Sequence, residues 1–316
     1  MDVLKELEKF AKDLFSVDIE TFIAAIRLSP NAQGYLSGAI TEIKLKRYLE
    51  SKGFEVLRVK EKWEGNKHPN HHGDFYIRKN KGDWFVLESK GVKSNSEKWH
   101  RLYNKNSLIE FLFKNIDKTP FKSKEEIEGY VTKELPLFKT RFKNNLYTLN
   151  ELQKYKPSKK KTQKAQDILM LKKLKPEDVE RMVVERLDYV MSKIKLIETH
   201  LVSGGSKKSK RTQATPRVDE FNLLSLDLVL RTGEHEFIFV NPALLEPSSA
   251  DRNHLQQNYI VGVIVEGLND TLILQEPWGH NFDKIFLTLK NPIKEKDMQI
   301  DHRADVIEEE TLEKLK

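Results

Sequence analysis

The amino-acid sequence predicts an α/β protein with a mixed central β-sheet flanked by helices and a second β-containing module. Three observations lead to this fold class. Apolar residues recur at helical spacing over the first 50 positions. Two strand-like runs then surround the turn sequence Lys-Asn-Lys-Gly, and a β-rich stretch follows a basic, polar segment. The chain has 316 residues, 38% of them hydrophobic, and can fill the core of one large domain or two smaller ones.

The first half of the chain predicts helices on both sides of a β-hairpin. The predicted elements are two short helices over residues 3–28, a helix over 37–51, strands over 54–60, 74–78 and 83–89, and helices over 96–116 and 122–133. The polar stretch over residues 29–34 ends the second helix. The apolar face of the third helix is formed by Ile40, Ile43, Leu45 and Leu49.

The second half begins with a basic segment, Lys154 to Lys164, that is typical of a linker. We therefore predict a first module over residues 1–151, a basic linker over 152–175 and a second module over 176–316. The second module is predicted to contain a helix over 176–201 and strands over 224–231, 236–240, 259–266, 271–275 and 284–289.

Composition limits the class of protein and its partners. Lys and Arg outnumber Asp and Glu by 55 to 48, a net charge of +7 that suits a polyanionic partner. The absence of cysteine excludes thiolate metal sites, so a metal needs oxygen or imidazole ligands. The longest apolar runs are too short to span a membrane, and the N-terminus lacks the apolar region of a signal peptide. We expect a soluble cytoplasmic protein without a membrane partner.

Three side chains of the predicted hairpin carry the chemistry. Asp74 opens the first strand, and Glu88 and Lys90 stand two positions apart at the end of the second. Side chains alternate across a strand, so Glu88 and Lys90 point to the same face, and the hairpin can bring Asp74 beside Glu88. Two carboxylates suit Mg²⁺, and a metal together with an ammonium group favours attack of water on a phosphodiester. Gly73 and Gly91 are expected to let a DNA backbone approach closely.

At these residues the sequence resembles the PD-(D/E)xK nuclease superfamily, which includes most type II restriction endonucleases. The resemblance covers roughly residues 37–101 and implies a restriction-endonuclease-like core. It implies that Asp74 and Glu88 bind Mg²⁺, that Lys90 is catalytic, and that Glu42 on the preceding helix adds a further acidic group. Gly73 stands where the name of the motif has Pro, a position that varies in the family. The alternative is an ordinary hairpin with solvated charges.

Candidate DNA contacts lie in two polar segments. In the resemblance the segment after Lys90 lies close to DNA. Its candidates are Lys93, Ser94, Asn95, Lys98 and Arg101. A basic loop in the second module, like the lysine run at 159–161, can follow the DNA backbone. The candidates in that loop are Lys207, Lys208, Lys210 and Arg211. Solvated charges are the alternative for each set.

His68, His71 and His72 precede Asp74 closely enough to suggest a histidine metal site or contact with a DNA groove. A solvated loop is the alternative, and magnesium chemistry explains the nearby carboxylates better than zinc chemistry does.

The second module contains a segment that can be laid over the hairpin. Asp227 falls on Asp74, while Asn241 and Ala243 fall where Glu88 and Lys90 stand in the hairpin. One hypothesis is therefore a degenerate nuclease-like repeat over residues 176–290 that has lost its chemistry. The alternatives are a chance likeness of two hairpins, or strands that complete the sheet of the first module.

Together these observations predict a type II restriction endonuclease that uses Mg²⁺ to cut double-stranded DNA at a short site. One catalytic centre per chain implies a homodimer or two successive nicks. Two alternatives stay open: a repair or recombination nuclease that acts on structured DNA, and a DNA-binding protein without catalysis.

Overall fold

The computed structural model describes residues 3–60, 71–92, 104–135, 189–190, 193–199, 201, 215–249, 251–266 and 271–302. The fold is α/β, as predicted, with a mixed five-stranded sheet, a three-stranded sheet and flanking helices. The chain divides into two compact units, Met1–Ser89 with Asn291–Lys316, and Lys90–Lys290. Among the described residues, no helix is both long and apolar enough to cross a lipid bilayer.

The helices and strands follow one another along the chain. The helices are α1 (Val3–Phe15), α2 (Ile19–Leu28), α3 (Pro30–Ser51), α4 (Lys105–Lys114), α5 (Lys124–Gly129), α6 (Val229–Thr232) and α7 (Phe282–Phe286). The strands are β1 (Phe54–Arg58), β2 (Phe75–Lys79), β3 (Phe85–Gly91), β4 (Ile194–Glu198), β5 (Leu223–Asp227), β6 (Phe237–Val240), β7 (Ile260–Glu266) and β8 (Thr271–Leu274).

The five-stranded sheet has the strand order β1-β2-β3-β5-β6. The predicted hairpin is confirmed, because β2 and β3 pair antiparallel with Phe75 opposite Leu87. Its turn is closed by the Gly82 amide, which donates to the Lys79 carbonyl at 2.9 Å. Asn80 and Lys81 between them both have positive φ, the conformation that two-residue hairpin turns of type I′ require.

A chain segment near the C-terminus is tied to this hairpin by Arg78. The Arg78 Nε lies 2.7 Å from the Glu55 carboxylate, and its Nη1 lies 3.0 Å from that of Glu295. The guanidinium also stacks 4.3 Å from the ring centroid of Trp84, whose indole N–H donates to Glu295 at 3.1 Å. The main chain adds a bridge between Trp84 and Ile293. Residues far apart in sequence therefore stabilise one hairpin.

The three-stranded sheet has the order β4-β7-β8, and both of its strand pairs are antiparallel. Its core is formed with α4 and α5 by side chains that include Leu108, Leu112, Ile127, Ile194 and Ile264. Gly262 on β7 is tightly covered: a Cβ there would lie 2.8 Å from Leu108 Cδ1 and 2.9 Å from Phe111 Cδ1. Helix α4 therefore packs directly on the backbone of β7.

The predicted start of the third helix was wrong. Helix α3 begins at Pro30, because the Ser29 side chain caps it by accepting from the Ala32 amide at 3.2 Å and Pro is well suited to the first helical turn. Leu45 and Leu49 are fully buried, as expected. The apolar face predicted for this helix is wrong in its first half, where Ile40 and Ile43 are 40% and 39% exposed.

Three predictions in the second half were also wrong. The residues of β4 were predicted as the end of a helix but pair with β7, a contact across more than 60 positions. The strand predicted over 224–231 ends at Asp227, and α6 follows it. The strand predicted over 284–289 overlaps α7, which Asn281 caps by accepting from the Lys284 amide. The strands β6, β7 and β8 are confirmed.

The strands β5 and β6 form an antiparallel pair within the five-stranded sheet. This is the topology of the alternative in which the later strands complete the sheet of β1, β2 and β3. The predicted linker over residues 152–175 and most of the helix predicted over 176–201 lie outside the described residues.

Candidate active site

Asp74 directly precedes β2, and hydrogen bonds to two neighbouring strands hold it. The Asp74 amide donates to the Leu87 carbonyl at 2.9 Å, and the Asp74 carbonyl accepts from the Val59 amide at 3.0 Å. The carboxylate accepts from the Ser89 amide, with 2.7 Å between Oδ2 and N. The Leu87 carbonyl thus accepts from Asp74 while Leu87 faces Phe75, at the end of the β2–β3 ladder.

Glu88 and Lys90 lie on either side of Ser89 on β3. Alternation along the strand puts Glu88 and Lys90 on the same face, and both side chains are half-buried, whereas Ser89 is buried. The peptide N–H that binds Asp74 joins Glu88 to Ser89. The structure therefore brings the Asp74 carboxylate to the backbone between Glu88 and Lys90, and its place beside the Glu88 carboxylate stays a prediction.

Gly73 makes this approach possible. A Cβ at this position would lie 2.5 Å from Val86 Cγ1 and 2.9 Å from the Leu87 carbonyl oxygen. The space around Gly91, by contrast, is open, with no atom within 4 Å of a Cβ built there. Gly73 was predicted to leave room for DNA. Its absent side chain leaves room for β3, and the approach of DNA stays a prediction.

Glu42 lies on α3 and forms an ion pair with Arg58 of β1, with 2.6 Å between Oε2 and Nη2. Arg58 faces Phe75 across the β1–β2 pairing, one residue from Asp74. The same register gives Arg58, Phe75 and Leu87 one face of the sheet, so Glu88 alternates to the other face. Glu42 is thus anchored near Asp74 through Arg58, and its role as a metal ligand stays a prediction.

The ligand chemistry of the site suits a hard cation. Among the residues that the structure describes, no group of three or more His, Asp or Glu side chains could hold a metal ion together. A metal here would rest on the carboxylates of Asp74 and Glu88. Mg²⁺ fits such a pair, because it commonly binds one or two carboxylates and keeps several water ligands.

His71 contacts the buried side of the hairpin. Its Nε2 lies 3.2 Å from the hydroxyl oxygen of Tyr76, which is fully buried and also accepts from the Gln299 amide. Burial, followed by repulsion from His72, lowers the pKa of His71 from the usual 6.5 to about 4. His71 is therefore neutral at pH 7 and packs against Tyr76. His68 lies outside the described residues.

The predicted DNA contacts lie outside the described part of the chain. These are Lys93, Ser94, Asn95, Lys98, Arg101, Lys207, Lys208, Lys210 and Arg211. The lysine run at 159–161 also falls there.

Asp227, the counterpart of Asp74 in the possible repeat, has a different environment. Its carboxylate is buried, lies 2.6 Å from His235 Nδ1 and accepts from the Val229 amide at 3.0 Å. Asn241 caps the turn that contains Ala243 by accepting from the Ala243 amide. These contacts close the connection between β5 and β6 and the turn after it.

Two further buried acidic residues escaped sequence reasoning. Glu198 at the end of β4 is 1% exposed, and Asp301 is 8% exposed. The Asp301 amide donates to the Arg58 carbonyl, so this acid lies beside the strand that carries the partner of Glu42. No local pattern marks either residue, because their burial depends on strands that pair over long sequence distances.

Comparison with known proteins gave no significant match to a protein-family model, a curated protein or a solved structure.

Replacing Gly73 with Ala should disturb the site and lower stability. The added methyl group meets Val86 and the Leu87 carbonyl, so the backbone that carries Asp74 must shift, at a cost of about 1–3 kcal/mol in the free energy of unfolding. Urea denaturation measures this loss. The control is Gly91→Ala, since the space there is open. Equal denaturation midpoints for the two variants would show that Gly73 is not needed for the packing.

The depressed pKa of His71 predicts loss of stability in mild acid. Below pH 6.5 the His71 side chain binds a proton in the unfolded chain, whereas in the folded chain it does so only near pH 4. The free energy of unfolding is therefore unaffected by His71 above pH 6.5 and decreases as the pH falls toward 4. We expect a loss of about 1–2 kcal/mol for this half-buried group, reduced by solvent screening.

The measurement is urea unfolding at pH 7.5 and 4.5. His71→Asn should lose less stability between these pH values than the wild type does, whereas the exposed His280→Asn variant should behave like the wild type. The assignment of this pH dependence to His71 is wrong if His71→Asn and the wild type lose the same free energy of unfolding between pH 7.5 and 4.5.

Proposed function

We propose that this chain is a Mg²⁺-dependent endodeoxyribonuclease with an active site of the PD-(D/E)xK type at Asp74, Glu88 and Lys90. The observation that carries the proposal is the 2.7 Å hydrogen bond from the Ser89 amide to the Asp74 carboxylate. It holds one carboxylate at the peptide that joins Glu88 to Ser89, one residue before Lys90. Two oxygen ligands and one ammonium group at one strand end are the parts that phosphodiester hydrolysis needs.

Each residue has a role in this proposal. Asp74 and Glu88 hold Mg²⁺. When bound, the ion supplies positive charge at the phosphate oxygens and acidifies water. The Lys90 ammonium, on the same face as Glu88, orients the attacking water and stabilises negative charge on the phosphate. Water forms the new bond to phosphorus and releases its proton to solvent, while the bond to the leaving ester oxygen breaks and that oxygen takes up a proton from solvent.

Glu42 on α3 is the proposed fourth acidic residue, although its partner Arg58 belongs to the sheet face opposite Glu88. Its carboxylate is held by Arg58, next to the strand pair that positions Asp74. We propose that Glu42 holds a second ion or a water in the metal's hydration shell when DNA is bound. Glu42→Gln should therefore slow cleavage less than a change at Asp74.

Double-stranded DNA is the proposed substrate, and a type II restriction endonuclease is the proposed role. The net charge of +7 favours a polyanionic partner. We propose that the basic residues after Lys90 and in the loop over residues 207–211 contact phosphates. With one such site proposed in each chain, cutting both strands at one place takes a homodimer or two successive nicks, and we propose the homodimer.

The variant Asp74→Asn tests the proposal, and Asp83→Asn, which removes another acidic group of the hairpin, is the matched control. Asp83 belongs to the same hairpin but lies exposed at its turn end, on the far side from the site. We expect Asp74→Asn to lower the rate of Mg²⁺-dependent plasmid cleavage at least about 100-fold and Asp83→Asn to leave it unchanged. Agarose gel assays with and without EDTA measure the rates.

The same assay separates the alternatives. Discrete fragments with uniform sequenced ends support a restriction endonuclease, whereas cleavage confined to branched substrates indicates a repair or recombination nuclease. DNA binding without Mg²⁺-dependent cutting by the wild type would reject the catalytic proposal. Equal cutting by wild type and Asp74→Asn would reject the site.

A further inference from the structure

The N-terminal helices expose far more apolar surface than the rest of the described chain. Of the fifteen large hydrophobic side chains that are exposed among the described residues, eleven lie between residues 4 and 43. They are Leu4, Leu7, Phe10, Leu14, Phe15, Ile23, Leu28, Tyr35, Leu36, Ile40 and Ile43, and we call them the N-terminal apolar surface. We propose that this surface is the interface with a second copy of the chain.

The size of the surface matches what a stable dimer needs. If a fully exposed large apolar side chain contributes roughly 200 Å², the exposed fractions leave on the order of 1,000 Å² of apolar area on these three helices. A monomeric protein rarely exposes an apolar patch larger than roughly 300–600 Å². A typical protein interface buries roughly 800 Å² on each partner.

The helices also have little core of their own. Over the residues from Leu4 to Ile40 whose side chains the structure describes, only Ala11 and Ile19 are buried. Aromatic packing joins α1 to α2, with ring centroids 6.0 Å apart for Phe10 and Phe22 and 5.4 Å apart for Phe15 and Phe22. Phe10 and Phe15 nevertheless remain about half exposed. Exposed aromatic side chains of this kind are typical anchors of protein interfaces.

Charge argues for a protein partner and against DNA on this surface. Residues 1–43 contain four basic and seven acidic side chains, a formal charge of −3 in a chain that carries +7. A surface with this balance repels phosphate rather than attracting it. Helix α1 itself carries three basic and three acidic side chains, so two copies can face each other without net repulsion.

The proposed function supplies the reason for a second copy, and to that extent the inference rests on it. A symmetric pair of identical chains provides two nuclease sites, which can cut both strands at one place without two successive nicks by a single site. The surface itself is described from exposure and charge alone. The outcome of a test of assembly is therefore independent of the outcome of a test of cleavage.

The first test is the molecular mass of the full chain by light scattering and sedimentation. We expect a wild-type mass of twice 37.0 kDa at micromolar concentration. Leu7→Glu combined with Leu14→Glu should raise the dissociation constant about 1,000-fold or more, because buried leucines become charged at the interface. The control is Leu244→Glu combined with Leu287→Glu, two exposed leucines outside the N-terminal apolar surface, which should remain dimeric.

A second measurement keeps the test decisive if the charged variant fails to fold. The chain has no cysteine, so single Cys residues can be introduced as reporters. Tyr35→Cys and Leu28→Cys should react with a maleimide reagent at least about 10-fold more slowly than Leu287→Cys, which is equally exposed in one chain. The reaction rate at Tyr35→Cys should rise when the protein is diluted below its dissociation constant.

Three results would overturn the proposal. One is a wild-type mass of a single chain at tens of micromolar. The second is equal labelling at the three Cys positions in the dimer. The third is a dissociation constant for the Leu7→Glu, Leu14→Glu variant that equals that of the control. A monomer whose Tyr35→Cys is nevertheless protected would show that another part of the same chain covers the surface.

Discussion

The hydrogen bond between the Ser89 amide and the Asp74 carboxylate determines how the central hairpin ends. A side-chain oxygen there accepts from a backbone N–H of β3, where the regular β2–β3 ladder stops. The chain can come this close only because Gly73 has no side chain to meet Val86. One local constraint therefore joins the packing of two strands to the position of an acidic group.

A carboxylate held in this way needs little rearrangement when it binds a cation, and such preorganisation is what makes charged groups effective in catalysis. The proposed chemistry and the proposed assembly use different parts of the chain. The site lies at the end of the hairpin, whereas the N-terminal apolar surface lies on helices with a net acidic charge. The proposed DNA binding and the proposed assembly therefore make no competing demand on the same residues.

Sequence reasoning succeeded where the determinants are local. Turn chemistry at Asn80 and Lys81 predicted the hairpin that the structure confirms, whereas the site assigned to Asp74, Glu88 and Lys90 stays a prediction. It failed where a distant partner decides, because β4 is a strand only through its pairing with β7. The hydrogen bonds of Asp74 to β3 and the exposure of Ile40 could not be predicted either, because both depend on how separate elements pack.

Direct binding of Mn²⁺, a spectroscopic substitute for Mg²⁺, tests the central claim that Asp74 and Glu88 form a metal site. Electron paramagnetic resonance can count bound ions in the wild type, in Asp74→Asn and in the control Asp83→Asn. The predicted result is a carboxylate site in each wild-type chain, with affinity reduced at least about 10-fold in Asp74→Asn and unchanged in Asp83→Asn. Equal binding by wild type and Asp74→Asn would contradict the claim.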